Sequence, residues 1–257
     1  MKTILSPDQC LWRGYSRRQY DEYGWPIHRD CDYCEGGKRN HIDQEYDVSE
    51  CYRLVQYKEL LDDSGLTGKA LKHTFQAAKI DKYNEKLYRY LADEWTPEKG
   101  GVYITAQKTK DNPQGNGTGK TYALHATVHK LCRMGIRCLY ARTVDFLTDL
   151  KSAYEEGTQK SESKVLRKYM NVPVLIWDDL GKENIRTEWG PEKFYQVIDY
   201  RAEMELPMVI SSNFLLDELA TRFGADNFGP AIVSRLAGAC YGQIFVLGGP
   251  DRRFKQS

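Results

Sequence analysis

The run Gly115-Asn116-Gly117-Thr118-Gly119-Lys120-Thr121 concentrates more chemistry than any other segment of this chain. Closely spaced glycines let successive backbone N–H groups turn inward around phosphate oxygens, and a helix opening behind them adds its N-terminal dipole. At this spacing the Lys120 ammonium reaches β- and γ-phosphates, and the Thr121 hydroxyl becomes a ligand for Mg2+. The pattern departs from G-x-x-x-x-G-K-[ST] at its first position, where Gln114 replaces glycine. Residues 107–113 also set the loop further than usual from the strand ahead of it. A Gly-rich surface turn is the plain alternative, but the intact Gly-Lys-Thr ending favours phosphate.

Downstream, Val174-Leu175-Ile176-Trp177-Asp178-Asp179 reads as a buried apolar strand ending in two carboxylates. Beside a phosphate loop, Asp178 would hold Mg2+ through water, and Asp179 would orient or deprotonate an attacking water. Taken alone, the pair would only start a polar turn into Leu180-Gly181. Met208-Val209-Ile210-Ser211-Ser212-Asn213 is a second strand with a polar end, and Asn213 could bond the attacking water or the γ-phosphate. Asparagine at a strand end is otherwise a turn former.

Of the 7 cysteines, Cys31 and Cys34 form a C-x-x-C knuckle followed by Gly36-Gly37. Two thiolates at that spacing can hold one tetrahedral Zn2+, with Cys51 as third ligand and His41 or Cys10 as fourth. A redox pair would need a thioredoxin-like strand and helix nearby, which the flanks do not supply; free thiols are the other alternative. Cys132, Cys138 and Cys240 fall in helix and strand patterns and are expected in the core. His125 and His129, four apart on one helix, could suggest a metal face. Without acidic partners they read as core or surface histidines.

These groups need elements that bring them to one place. Strands are expected at Val102-Tyr103-Ile104, Arg137-Cys138-Leu139-Tyr140, Val174-Leu175-Ile176-Trp177, Met208-Val209-Ile210 and Gln243-Ile244-Phe245-Val246-Leu247. Helices are expected around 120–134, 144–156, 162–170, 191–204, 215–223 and 230–238. Such alternation predicts an α/β fold, a three-layer P-loop core with a mainly parallel sheet covered on both faces. Upstream, Ile80, Tyr83, Leu87, Tyr90 and Leu91 have helical spacing. Three zones result: a Cys-rich module over 1–64, a linker helix region over 65–99 and the core over 100–257.

At 257 residues the chain is long enough for such a core with an appendage. Lys+Arg 37 against Asp+Glu 36 leaves a formal charge of +1, which excludes a histone-like or polybasic membrane binder. Any grip on nucleic acid must come from local patches or an oligomer. No apolar run reaches membrane-spanning length and no signal peptide precedes the cysteines, so a reducing cytoplasm is expected.

Taken together, the segments resemble the AAA+ ATPases of the DnaC/DnaI type, the bacterial and phage replicative-helicase loaders. The resemblance covers about residues 65–254. It rests, in order, on Gly-Asn-Gly-Thr-Gly-Lys-Thr (115–121), Val-Leu-Ile-Trp-Asp-Asp-Leu-Gly-Lys-Glu (174–183), Glu-Trp-Gly-Pro-Glu-Lys-Phe-Tyr-Gln-Val-Ile-Asp-Tyr-Arg (188–201), Leu-Pro-Met-Val-Ile-Ser-Ser-Asn (206–213), Ile-Val-Ser-Arg-Leu (232–236) and Gly-Gly-Pro-Asp-Arg-Arg (248–253). The first two are generic to P-loop ATPases; the later ones are more specific to this family.

The resemblance implies that Asn213 is the sensor asparagine and that Arg235 is an arginine finger acting on a neighbouring subunit's ATP. It implies Arg253 as the second sensor arginine, with Arg252 a near alternative. A surface helix arginine is the bland reading of Arg235. An N-terminal zinc module with the ligand order Cys-x-x-Cys, His, Cys is implied too, which favours His41 over Cys10, although the spacing here is shorter. ATP as the nucleotide, a hexameric replicative helicase and single-stranded DNA as partners, and self-assembly follow from the same resemblance. An IstB-like transposition helper shares much of the core, and an ATP-binding adaptor with little hydrolysis is the reading that Gln114 and the inserted loop suggest.

Overall fold

The computed structural model describes residues 48–110, 112–155, 159–182, 190–224 and 228–253. Cys10, Cys31, Cys34 and His41 lie outside the described residues. So does the side chain of Cys51, whose backbone belongs to the first helix, α1 (Val48–Asp63).

Five parallel strands form the sheet: β1 (Val102–Ala106), β2 (Cys138–Arg142), β3 (Val174–Leu180), β4 (Met208–Ser212) and β5 (Ile244–Leu247), in the order β2-β3-β4-β1-β5. Each falls on a run expected from the sequence. Helices α3 (Lys120–Arg133), α4 (Thr143–Glu155), α5 (Gln159–Asn171), α6 (Gly190–Glu203), α7 (Leu216–Phe223) and α8 (Phe228–Ala239) occupy the intervals, again as expected.

Alternation along the strands divides the core between two faces. Leu175 and Trp177 of β3 join Met208 and Ile210 against Phe146 of α4, Tyr169 of α5, Phe194 of α6, Leu219 of α7 and Ile232 of α8. Val174 and Ile176 join Val102, Ile104 and Val209 against Leu124, Val128 and Leu131 of α3. Three layers result, with the sheet in the middle. Parallel strands covered on both faces need continuous apolar runs, and β1 is buried along its whole length.

Tyr57 and Leu61 of α1 pack in that second face with Leu87, Leu91 and Trp95. The expected boundary between residues 64 and 65 therefore falls within packed structure: Ser64 O accepts a hydrogen bond from Tyr140 N at 2.7 Å.

One element differs from expectation. The segment 79–91 is not a single helix: helical backbone is confined to α2 (Glu85–Arg89) and a wider turn over Tyr90–Glu94. Asp81 Oδ1 accepts from Tyr83 N at 2.9 Å, and Asn84 Oδ1 accepts from Asp81 N at 2.8 Å. Such side-chain bonds offer the backbone an alternative to the helix. Ile80 and Tyr83, read as its apolar face, are exposed instead.

Among the described residues, no helix is long and apolar enough to cross a membrane.

Candidate functional site

Segments that follow β1, β3 and β4 at one end of the sheet wall a cleft of about 650 Å³, closed on its other sides by residues of 73–88 and by Arg252 and Arg253. The glycine loop enters it in a conformation few side chains allow. Gly115 and Gly117 have φ of 62° and 63°, in the left-handed region open to glycine. A side chain at Gly115 would meet Ala106 Cβ at 2.9 Å, and one at Gly117 would overlap the Asp251 carboxylate at 1.7 Å.

Gln114, in place of the usual first glycine, accepts a bond from Asn116 Nδ2 at 2.8 Å. Asn112, from the inserted stretch, fixes the start of the loop. Its Oδ1 accepts from Asn116 N at 3.1 Å, while its Nδ2 donates to Asn116 O at 2.8 Å and Gly249 O at 3.1 Å. The end of the loop is braced by Tyr88, whose hydroxyl donates to Gly119 O at 2.9 Å. Arg252 N donates to Gly117 O at 3.1 Å, so the chain's last described turn lies on the loop as well.

Lys120 opens α3 and donates to Gly115 O at 3.0 Å. Burial pulls its pKa down from 10.5 to about 8, against the opposing pull of Asp179 and Asp178. Thr121 Oγ1 stands 3.2 Å from Asp178 Oδ1. That places the two expected metal-binding oxygens side by side.

Asp178 is buried at the end of β3. Its Oδ1 accepts from Thr121, from Ser211 Oγ and from Asp179 N, and its Oδ2 accepts from Tyr140 OH at 2.9 Å. Burial and the neighbouring Asp179 charge push its carboxyl pKa up, and the hydrogen bonds from Ser211, Tyr140 and Thr121 push back. Asp179 has φ of 57°, uncommon for a residue with a side chain. Thr143 Oγ1 holds its carbonyl at 3.0 Å and Lys182 Nζ pairs with its Oδ2 at 2.9 Å, so the surroundings impose the strained turn.

Asn213 and Arg253 line the same cleft. Arg253 forms an ion pair with Asp251 at 2.5 Å and Arg252 one with Asp81 at 2.8 Å. Arg235 is elsewhere. It lies on α8, half exposed, with Nε on Asp199 Oδ1 at 2.6 Å, in a separate depression beside Lys99 and Tyr241. The structure thus brings together Lys120, Thr121, Asp178, Asp179, Asn213 and Arg253 and leaves Arg235 outside this chain's own cleft.

His125 and His129 are core residues: His125 Nδ1 bonds His73 Nδ1 at 2.8 Å, and His129 Nδ1 bonds Tyr57 OH at 2.7 Å. Desolvation lowers their pKa values to about 3 and about 4. Cys132, Cys138 and Cys240 are buried free thiols, as expected.

The polar chemistry of the cleft fits a metal-bound polyphosphate. Thr118 Oγ1 and Arg252 Nε, on two lining residues, are buried without a hydrogen-bond partner among the described residues, and phosphate oxygens are acceptors for both. The paired hydroxyl and carboxylate of Thr121 and Asp178 are the hard oxygen donors that Mg2+ takes. Sequence reasoning did not find Asn112, Tyr88, Tyr140, Ser211 or Asp251; Ser211, near Asn213 at a strand end, and Asp251, beside Arg252 and Arg253, carried a local signal.

A parallel five-stranded sheet with a glycine loop after β1 and a buried carboxylate ending β3 defines a P-loop protein of the AAA+ kind. A family model described as IstB-like ATP binding protein matches residues 113–257, more than half of the chain. The chain belongs to this family, the IstB/DnaC-like AAA+ ATPases. It is similar to the replicative helicase loader DnaI of Bacillus subtilis (strain 168), 29% identical over 107 residues, which are 42% of this chain and 33% of that protein. A protein of insertion sequence IS1162 from Pseudomonas fluorescens is 32% identical over 124 residues, 46% of this chain and 47% of its own. The chain thus spans half or less of these two relatives. A crystal structure of DnaI shares the fold, with a TM-score of 0.56 at 23% identity over 74% of this chain and 95% of that one.

Proposed function

We propose that this chain is an ATP-hydrolysing loader of a replicative DNA helicase onto single-stranded DNA. The observation that carries the ATPase part is the meeting of Lys120, Thr121 and the buried Asp178 at one end of the sheet. The similarity to DnaI supports the loader part.

In this reading the glycine loop and Lys120 hold the β- and γ-phosphates of ATP. Thr121 and Asp178 would hold Mg2+, which when bound neutralises phosphate charge. Asp179 orients the attacking water once Lys182 yields its carboxylate, and Asn213 bonds that water or the γ-phosphate. Arg253, or its neighbour Arg252, contacts the phosphates from the far wall. Arg235, outside its own cleft, reaches the ATP of a neighbouring subunit and makes hydrolysis depend on assembly. The module over 1–64 binds the helicase and one zinc on Cys31, Cys34, Cys51 and His41, with Cys10 the alternative to His41. The near-neutral chain holds DNA as an assembly.

The test is co-purification with a hexameric helicase, together with ATP turnover with and without single-stranded DNA. Capture of a transposase instead would move the chain to the transposition helpers, a reading the IS1162 relative favours. Absent turnover in both wild type and Asp179→Asn, with ATP still bound, would make it an adaptor. Arg235→Ala should bind ATP normally yet lose the rise in specific activity with protein concentration; if activity matches wild type at every concentration, the finger is another residue. Metal analysis of the purified chain should find about one zinc per chain, and zinc-free folded protein would remove that site.

A further inference from the structure

The carboxylate of Asp178 is gripped unevenly. Three donors, Thr121 Oγ1, Ser211 Oγ and Asp179 N, converge on Oδ1. On Oδ2 the hydrogen bond is from Tyr140 OH at 2.9 Å. A carboxylate held at one oxygen can still turn about its terminal torsion, which is broad and two-fold. A donor on the second oxygen fixes the plane.

Tyr140 is itself fixed from several sides. It lies on β2, in register with Ile176 of β3, two residues before the position paired with Asp178. Its backbone N–H is tied to Ser64 O at 2.7 Å, and its ring meets the His125 ring edge-on at 4.9 Å between centroids. His125 in turn bonds His73 Nδ1, on the segment that walls the cleft. The hydroxyl therefore reaches Asp178 from a rigid mount made of α3, β2 and the segment preceding the core.

We propose that Tyr140 is a positioning residue for the metal-binding carboxylate, its hydroxyl holding the plane of Asp178 so that the oxygen beside Thr121 keeps a fixed direction. It touches neither nucleotide nor metal and acts through Asp178. Partners that orient a metal-binding carboxylate set metal affinity even though they never reach the ion. The proposal rests on the reading of the cleft as a site for ATP with Mg2+.

Tyr140→Phe removes the hydroxyl and keeps the ring against His125. Affinity for N-methylanthraniloyl-ATP is measured for the full chain and the variant, in EDTA and across a MgCl2 titration. Equal affinity in EDTA is expected, because the glycine loop and Lys120 are untouched. The MgCl2 midpoint should rise about 10-fold in the variant. Equal midpoints overturn the positioning role. Lost affinity in EDTA overturns it too, since the hydroxyl would then support the fold of the cleft. Wild-type protein that binds the probe no better with MgCl2 than in EDTA removes the Mg2+ reading itself, and the proposal with it.

Discussion

Lys120→Ala should weaken ATP binding by about 100-fold or more. A charge-assisted hydrogen bond contributes about 1.5–3 kcal/mol, and an ammonium shared between two phosphates makes two of them. Calorimetric titration reads the loss directly, and unchanged affinity would remove the phosphate-loop assignment. The same lysine should also depend on pH in a defined direction. Its folded pKa, about 8, lies below the ordinary 10.5. Between those values the unfolded chain binds a proton that the folded chain has released, so Lys120's contribution makes stability rise with pH across this window. Below about pH 8 the full cost of the buried cation is present. Lys120→Met, which fills the space without charge, should melt higher than wild type at pH 7 without nucleotide and lose that part of the pH slope. Paired melting curves at pH 7 and pH 10 check both signs; a variant that melts lower at pH 7 would contradict the desolvation argument.

The second large effect belongs to Arg201, on α6. It is fully buried and donates to the carbonyls of Tyr169, Met170, Val172, Pro173 and Pro207 at 2.8–3.4 Å. Two of those carbonyls end α5, where a helix leaves acceptors unpaired and its dipole is negative. The others line the entries to β3 and β4. Burial lowers the Arg201 pKa to about 9, still charged at neutral pH. Arg201→Ala strands those acceptors in the core and should cost about 4 kcal/mol. For a domain of this size that is about 10 °C in Tm. Arg201→Lys, with fewer donors and no planar fork, should recover only part of it. A thermal melt of Arg201→Ala within about 2 °C of wild type would show that the carbonyls find other donors.

The strands were legible because their apolar runs are short, uninterrupted and separated by helical patterns, the signature of a sheet covered on both faces. Lys120, Thr121 and Asp178 were legible because a phosphate loop is a local device whose spacing is in the chain. Tyr140 was not: its partner is 38 positions away, and a tyrosine in the middle of a strand has no local mark of its role. Asn112 bonds Gly249 across 137 positions, which only the folded chain displays. The helix expected over 79–91 failed for a local reason, since Asp81 and Asn84 can satisfy backbone N–H groups in a turn. Arg201 sat in a segment used for the family resemblance, yet nothing in its neighbours announced that an arginine would be buried.

Tyr57, Leu61, Leu87, Leu91 and Trp95 rest on the same sheet face as α3. A fragment cut at residue 100 to isolate the ATP-binding unit would bare that face to water. Such a fragment should aggregate or be rapidly digested by protease, whereas one starting near residue 48 should survive as a soluble piece. Survival of the longer piece alone would put the start of the autonomous unit at α1, ahead of the first strand of the sheet it serves.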